Sequence, residues 1–185
     1  PAQEYEIRLP GAHQVDNAVT ALAALSLLPE DLPVSPEAAR AGLREAVWPG
    51  RLEWRGNLLL DGAHNPQGVR ALREYAQDFL RDRRVAVLTG SMADKDVAAI
   101  AEGIAAIADA VVCVSPEHMA RAVPAPELCG LYRGRTDKPV LAAEDTAQGL
   151  RQAQTLAGEA GVVLVCGSLY LVGEGRRMLE SPEWD

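Results

Sequence analysis

Asp61-Gly62-Ala63-His64-Asn65-Pro66 places an acid, an imidazole and a carboxamide side by side. The segment follows the apolar run Leu58-Leu59-Leu60 and precedes a helical pattern opened by Pro66, so it lies where a strand hands over to a helix. In open α/β sheets that edge, at the carboxyl ends of the strands, is where ligands bind. A carboxylate at Asp61 can accept hydrogen bonds from sugar hydroxyls. His64, Asn65 and the free N–H groups of a helix start can meet an anion. The same residue types also build turns and helix caps, so both readings stand at this point.

Four further segments carry usable chemistry. Arg51 follows Trp48-Pro49-Gly50, a stiff and tightly turned backbone, and a fixed guanidinium suits phosphate oxygens, which it clamps with two hydrogen bonds. His13 and Asn17 are four apart, hence on one helix face, and a carboxamide both donates and accepts, as the edge of adenine requires. Ser168 opens a helix after a buried strand, with Gly167 keeping the approach clear, a geometry fit for a carboxylate. Gly90-Ser91-Met92-Ala93-Asp94-Lys95-Asp96 also follows a buried strand; Asp94 reads as its helix N-cap, and Lys95 as facing a ligand cleft. Structural alternatives accompany each: capping by His13, a satisfied polar Asn17, a surface arginine, a tight Gly-Ser turn. His118 reads as a solvated loop residue.

The elements that must position these groups follow from periodicity. An amphipathic to buried helix runs from near His13 to Pro29, and a second, capped by Ser35 with Pro36 in its first turn, reaches about Val47. Leu52 to Arg55 and Leu58 to Leu60 read as short strands around a Gly56-Asn57 turn. Beyond them, helices near 66–82, 94–108, 125–132, 145–160 and from Ser168 alternate with strands at 85–88, 110–114, 139–142 and 162–166. Uninterrupted Val/Leu/Ala strands of this kind mean a parallel sheet covered on both faces. The expected architecture is a small doubly wound, mostly parallel α/β sheet over residues 48–185, preceded by a helical segment, 1–47, that belongs with another domain.

A net charge of −8 argues against a nucleic-acid surface, and 4% aromatic residues against base-stacking platforms. The chain contains neither a Gly-x-x-x-x-Gly-Lys-[Ser/Thr] phosphate loop nor a Gly-x-Gly-x-x-Gly fingerprint, and no His/Cys set with zinc spacing. Its three cysteines, Cys113, Cys129 and Cys166, form no Cys-x-x-Cys pair, which points to a reducing cytoplasm. No apolar run is long enough to span a bilayer.

Four segments taken in order, 9–18 (Leu-Pro-Gly-Ala-His-Gln-Val-Asp-Asn-Ala), 48–53 (Trp-Pro-Gly-Arg-Leu-Glu), 61–66 and 167–174 (Gly-Ser-Leu-Tyr-Leu-Val-Gly-Glu), resemble folylpolyglutamate synthase, often bifunctional with dihydrofolate synthase, in the Mur-ligase-like amide ligases. The resemblance implies the C-terminal Rossmann-like domain with the end of the central domain, in an enzyme that adds L-glutamate to a folate or dihydropteroate through an acyl phosphate. It implies ATP and Mg2+, with the phosphate loop, magnesium ligands and a modified lysine upstream, so that this chain holds no metal ligands and is inactive alone; a monomer is expected. It also assigns roles: His13, Gln14 and Asn17 against adenine, Arg51 on the phosphates, Asp61 on the ribose, and His64, Asn65 and Ser168 with the glutamate, His64 and Arg51 being nearest the chemistry. Another Mur-ligase-like amino-acid ligase and a non-catalytic nucleotide-binding module remain as alternatives.

Overall fold

A computed structural model describes residues 4–180. Two helices come first, α1 (His13–Ser26) and α2 (Pro36–Glu45), then the hairpin β1 (Glu53–Arg55) and β2 (Leu58–Leu60). Helix α3 (Pro66–Phe79), β3 (Val85–Thr89), α4 (Val97–Ala105), β4 (Ala110–Cys113), α5 (Ala125–Arg133) and β5 (Val140–Ala142) follow. Helix α6 (Thr146–Ala157), β6 (Val162–Cys166) and α7 (Leu169–Met178) complete the order.

The strands form one sheet in the order β1-β2-β6-β3-β4-β5. Only β1 runs antiparallel, joined to β2 through Gly56, whose φ of 58° is open to glycine. Every residue of β2, β3, β4 and β6 is buried, which is why these strands read as continuous apolar runs rather than alternating ones. On one face α3, α4 and α5 pack against Leu59, Val87, Val111 and Leu164. On the other, α6 and α7 pack against Leu60, Leu88, Val112 and Val165. Each of those buried leucines contributes roughly 1.5–3 kcal/mol relative to exposure.

Strand β6, last in the chain, inserts between β2 and β3. This single placement brings the turn after β2 against the turn after β6: Asp61 donates its N–H to the Val165 carbonyl at 3.0 Å, and Gly167 donates to Ala63 at 2.8 Å. Segments about a hundred residues apart thereby share one sheet edge.

The N-terminal stretch behaves differently. Helix α1 buries only Gln14 and Ala18, α2 buries nothing, and Val15, Val19, Leu27, Leu32 and Val47 are all more than half exposed. Ser35 caps α2 by accepting the Ala38 N–H at 3.1 Å. Two local expectations are corrected. Leu52 is not in β1: its φ is 47°, and its N–H is turned to Asp61 rather than to a strand partner. Helix α4 is capped by Asp96, which accepts from Ala99 at 3.0 Å, and not by Asp94; Asp94 lies before the helix and pairs with Arg121 and Lys95.

Candidate functional site

Two recesses lie along the carboxyl edge of the sheet. The larger has a volume of about 440 Å³ and takes walls from α1 (His13, Asn17), from the turn before β1 (Gly50, Arg51) and from the turn after β2 (Asp61 to Asn65). The smaller, about 170 Å³, lies among Met92, Asp94, Lys95, Arg121 and Ser168. His64 and Leu169 line both and form the wall between them.

In the larger recess, α1 begins after Gly11, whose φ of 101° only glycine tolerates. No side chain caps this helix, so His13 is not a cap. Instead Asn17 donates to the Gln14 carboxamide oxygen at 2.9 Å, and Gln14 donates on to the His13 ring at 3.0 Å. Gln14 is 4% exposed and does not line the recess; its carboxamide fixes the two side chains that do.

Arg51 sits on a turn with no slack. The Gly50 N–H goes to a Glu53 carboxylate oxygen at 2.8 Å, the Arg51 N–H to the Trp48 carbonyl at 3.2 Å, and the Leu52 N–H to Asp61 at 3.0 Å. Gly62 closes the ring by donating to the Gly50 carbonyl at 2.7 Å. Burial works against ionisation of Glu53, but the Gly50 N–H and the guanidinium groups of Arg55 and Arg176 outweigh it and hold its carboxyl below the usual range. The Arg51 side chain itself is exposed and, among the described residues, has no hydrogen bond or ion pair.

Asp61 is buried, with one oxygen on the Leu52 N–H and the other on the Ala63 N–H at 2.9 Å. Burial pushes its carboxyl above the ordinary range, although these two N–H groups and the charges of Arg51 and His13 pull it back. His64 has one ring nitrogen committed: Nδ1 lies 2.8 Å from the Gly62 carbonyl, which can only accept, so Nδ1 carries a proton and Nε2 is the nitrogen left uncommitted. Asn65 caps α3, its side-chain oxygen accepting the Gly68 N–H at 2.8 Å. The cap expectation and the site expectation thus fall on one residue.

In the smaller recess Ser168 caps α7, accepting from the Tyr170 N–H at 3.2 Å, and is 2% exposed. Gly167 before it has φ 95°, and a β-carbon there would lie 2.5 Å from the Gly90 carbonyl oxygen. Arg121 is the residue that sequence reasoning missed. It comes from residues 115–124, a stretch without periodicity, yet a non-local pairing sets it in place: Ala93 donates to the Arg121 carbonyl at 2.8 Å and Val123 to Ser91 at 2.8 Å. The Arg121 guanidinium lies 3.0 Å and the Lys95 ammonium 3.5 Å from the same Asp94 oxygen. His118 is exposed on the same loop, as a solvated residue would be.

All three cysteines are buried and unpaired, and burial pushes the Cys113 and Cys166 thiols up. Among the described residues no group of three His, Cys, Asp or Glu side chains fits a metal ion, and no helix is long and apolar enough to cross a membrane.

Known proteins share this fold. A probable bifunctional folylpolyglutamate synthase/dihydropteroate synthase of Halobacterium salinarum is 35% identical over 187 residues, covering 92% of this chain and 21% of that protein. The structure of Escherichia coli FolC in complex with DHPP and ADP superposes with a TM-score of 0.84 at 27% identity, covering 97% of this chain and 41% of its own. A bifunctional folylpolyglutamate synthase/dihydrofolate synthase of Yersinia pestis, complexed with AMPPNP and a Mn ion, gives 0.80 at 29% identity, with 97% and 42% covered. The chain therefore spans about a fifth to two fifths of the length of these proteins. The family model described as Mur ligase, glutamate ligase domain matches residues 50–169. With that match running from the Arg51 turn to the start of α7, the chain belongs to the glutamate ligase domain family of the Mur ligases.

Proposed function

We propose that the chain is the C-terminal part of an ATP-dependent amide ligase that joins L-glutamate to a folate or dihydropteroate carboxylate, and that it has no ligase activity on its own. One observation carries this reading: two recesses of different size share the His64–Leu169 wall, the larger with an unpaired guanidinium and the smaller with two cations and a buried hydroxyl. A nucleoside triphosphate in the larger recess and an amino acid in the smaller reach one acceptor carboxylate from either side of such a wall.

In this reading His13 and Asn17, held by Gln14, face the adenine, and Arg51 meets the phosphates. The ADP, AMPPNP and DHPP of the two neighbouring structures support the nucleotide and the acceptor class. The γ-phosphoryl group passes to the acceptor carboxylate and ADP leaves. The amine of glutamate then attacks the acyl carbon and phosphate departs. Such a reaction depends chiefly on positioning and charge neutralisation. His64, with Nε2 uncommitted, orients the amine. Ser168 and the first turn of α7 take one carboxylate of the amino acid, with Asn65 holding the neighbouring helix start. Lys95 and Arg121 supply the positive charge for the other. A divalent ion, Mg2+ in this reading, would neutralise the phosphate charge from a site in other parts of the enzyme, and no step here runs through it. Buried, unpaired thiols support a reducing compartment such as the cytoplasm.

The test is phosphate release from ATP by the full-length gene product, with dihydropteroate and a reduced folate supplied separately. Release that requires L-glutamate and is abolished by His64→Ala is the expected result. Release indifferent to glutamate, or absent with both acceptors, rejects the assignment.

A further inference from the structure

Glu174 is a buried acid that lines neither recess. It lies in the second turn of α7, is 4% exposed and, among the described residues, faces no cation within ion-pair distance. A carboxyl group out of water is costly unless its oxygens find donors, and here both do, from two other elements. Oε1 accepts the Glu117 N–H at 2.8 Å, and Oε2 accepts the hydroxyl of Thr146, at the start of α6, at 2.6 Å. The Glu117 bond is the informative one, because residues 115–124 carry Arg121 to the smaller recess. The neck of that loop is closed by Ser115, whose hydroxyl donates to the Val123 carbonyl at 3.2 Å and accepts the Ala125 N–H at 2.9 Å. Its second half is pinned to the turn after β3 through Arg121 and Val123. Its first half contains His118 at φ 56°, a left-handed backbone that residues with a β-carbon seldom adopt. Among the described residues, the Glu117 N–H makes the one hydrogen bond that ties residues 116–118 to another element.

Resting on the ligase reading above, we propose that Glu174 is a positioning residue that sets the width of the smaller recess. One wall of that recess is Gly167 to Tyr170, leading into α7; the other is made of Met92, Asp94, Lys95 and Arg121. The walls abut at their base, where a β-carbon on Gly167 would meet the Gly90 carbonyl oxygen. Beyond that base, the Glu174–Glu117 bond is the one hydrogen bond between α7 and residues 115–124 among the described residues. Glu174 thus stands on the helix of one wall and holds the loop of the other, with Thr146 keeping its second oxygen in place. The tie runs to a backbone N–H, so it fixes the course of the loop and leaves the Arg121 side chain able to exchange Asp94 for a ligand carboxylate. An amino acid with two carboxylates, reaching from the Ser168 side to the Arg121 side, is then selected by its length.

Two variants of the full-length protein test this. Glu174→Ala removes the tie; Glu174→Gln keeps it, since the carboxamide oxygen still accepts the Glu117 N–H while the NH2 group meets the Thr146 oxygen. Hydrogen exchange without substrates reads the tie itself: the amides of residues 116–118 should exchange at least about tenfold faster in Glu174→Ala and at the wild-type rate in Glu174→Gln. Kinetics reads the consequence. Glu174→Ala should raise KM for L-glutamate about tenfold and leave KM for ATP within about twofold. It should also lower the kcat/KM preference for L-glutamate over L-2-aminoadipate, one methylene longer, by at least about threefold. Glu174→Gln should keep the wild-type value of all three. A fold that is merely weakened does not change a preference between two amino acids. An unchanged preference or unchanged exchange in Glu174→Ala, KM values for ATP and glutamate that rise together, or a Glu174→Gln protein that behaves as Glu174→Ala overturns the proposal. If Glu174→Ala does not accumulate folded, Glu174→Asp, short by one methylene, is read in its place. A wild-type protein without glutamate-dependent phosphate release fails the ligase reading before any variant is made; an active enzyme whose preference ignores Glu174 fails this proposal alone.

Discussion

The two recesses share a wall but hold their cations in opposite ways. The Arg51 side chain makes no hydrogen bond or ion pair among the described residues, although its charge reaches the buried Asp61, and only its backbone is held: by a left-handed Leu52, three committed N–H groups and two carboxylates behind the turn. Arg121 and Lys95 are held through their charges, sharing one exposed Asp94 oxygen. A guanidinium on a locked turn is ready for a target whose position is fixed by the rest of the nucleotide. Cations paired with a solvated carboxylate can exchange that partner for an arriving one at little cost, since exposed pairs are weak. In the proposed reading, the difference lets one sheet edge serve two substrates: stiffness where charge must be placed, exchange where a ligand must be admitted.

The most severe way to break the first half of that comparison is Arg51→Ala. Loss of the proposed phosphate contact should remove about 2–4 kcal/mol of transition-state stabilisation, read as a fall in kcat/KM for ATP in the full-length enzyme; unchanged turnover would reject the role. Next in size is Gly167→Ala, which puts a β-carbon against the Gly90 carbonyl at a φ of 95°. The backbone penalty alone is about 1–2 kcal/mol, so the thermal midpoint should drop by roughly 2–8 °C, with KM for L-glutamate rising as Ser168 shifts. Ser168→Ala removes one hydroxyl and should raise KM for L-glutamate about two- to tenfold while leaving KM for ATP alone.

The smallest effect is a shape in the pH profile. Asp61 faces Arg51, His13 and Cys166, and its carboxyl lies above the ordinary value of about 3.9. In the native protein the ionised form is the costly one, so its contribution to stability declines as pH rises from about 3.9 through the raised value. For activity the sign reverses, because protonation removes an acceptor from the Arg51 turn. The acid limb of kcat/KM for ATP should therefore lie above the ordinary carboxylate range, and Asp61→Asn should flatten it.

Much of this was legible in the sequence, for identifiable reasons. Strands β3, β4 and β6 are buried on both faces and so appear as unbroken Val/Leu/Ala runs. The caps Ser35, Asn65 and Ser168 announce themselves by residue type at a helix start. What escaped was non-local. Asp94-Lys95-Asp96 offers two acids before a helix, and which one caps depends on how Ile100 and Ala101 pack against the sheet. Leu52 looked like a strand residue because its N–H partner, Asp61, lies across a hairpin. Arg121 sits in a loop without period, and only the pairing of Met92 with Ala122 brings it to Lys95.

The most direct test of two substrates meeting across the His64–Leu169 wall is a crossed measurement on the full-length enzyme: the Michaelis constants for ATP and for L-glutamate in Arg51→Ala and in Arg121→Gln. Separate sites predict that Arg121→Gln raises KM for L-glutamate about tenfold or more and leaves the value for ATP within about twofold, whereas Arg51→Ala acts on ATP and not on glutamate. If both variants shift both constants together, the two recesses are one site, and the division of labour described here is wrong.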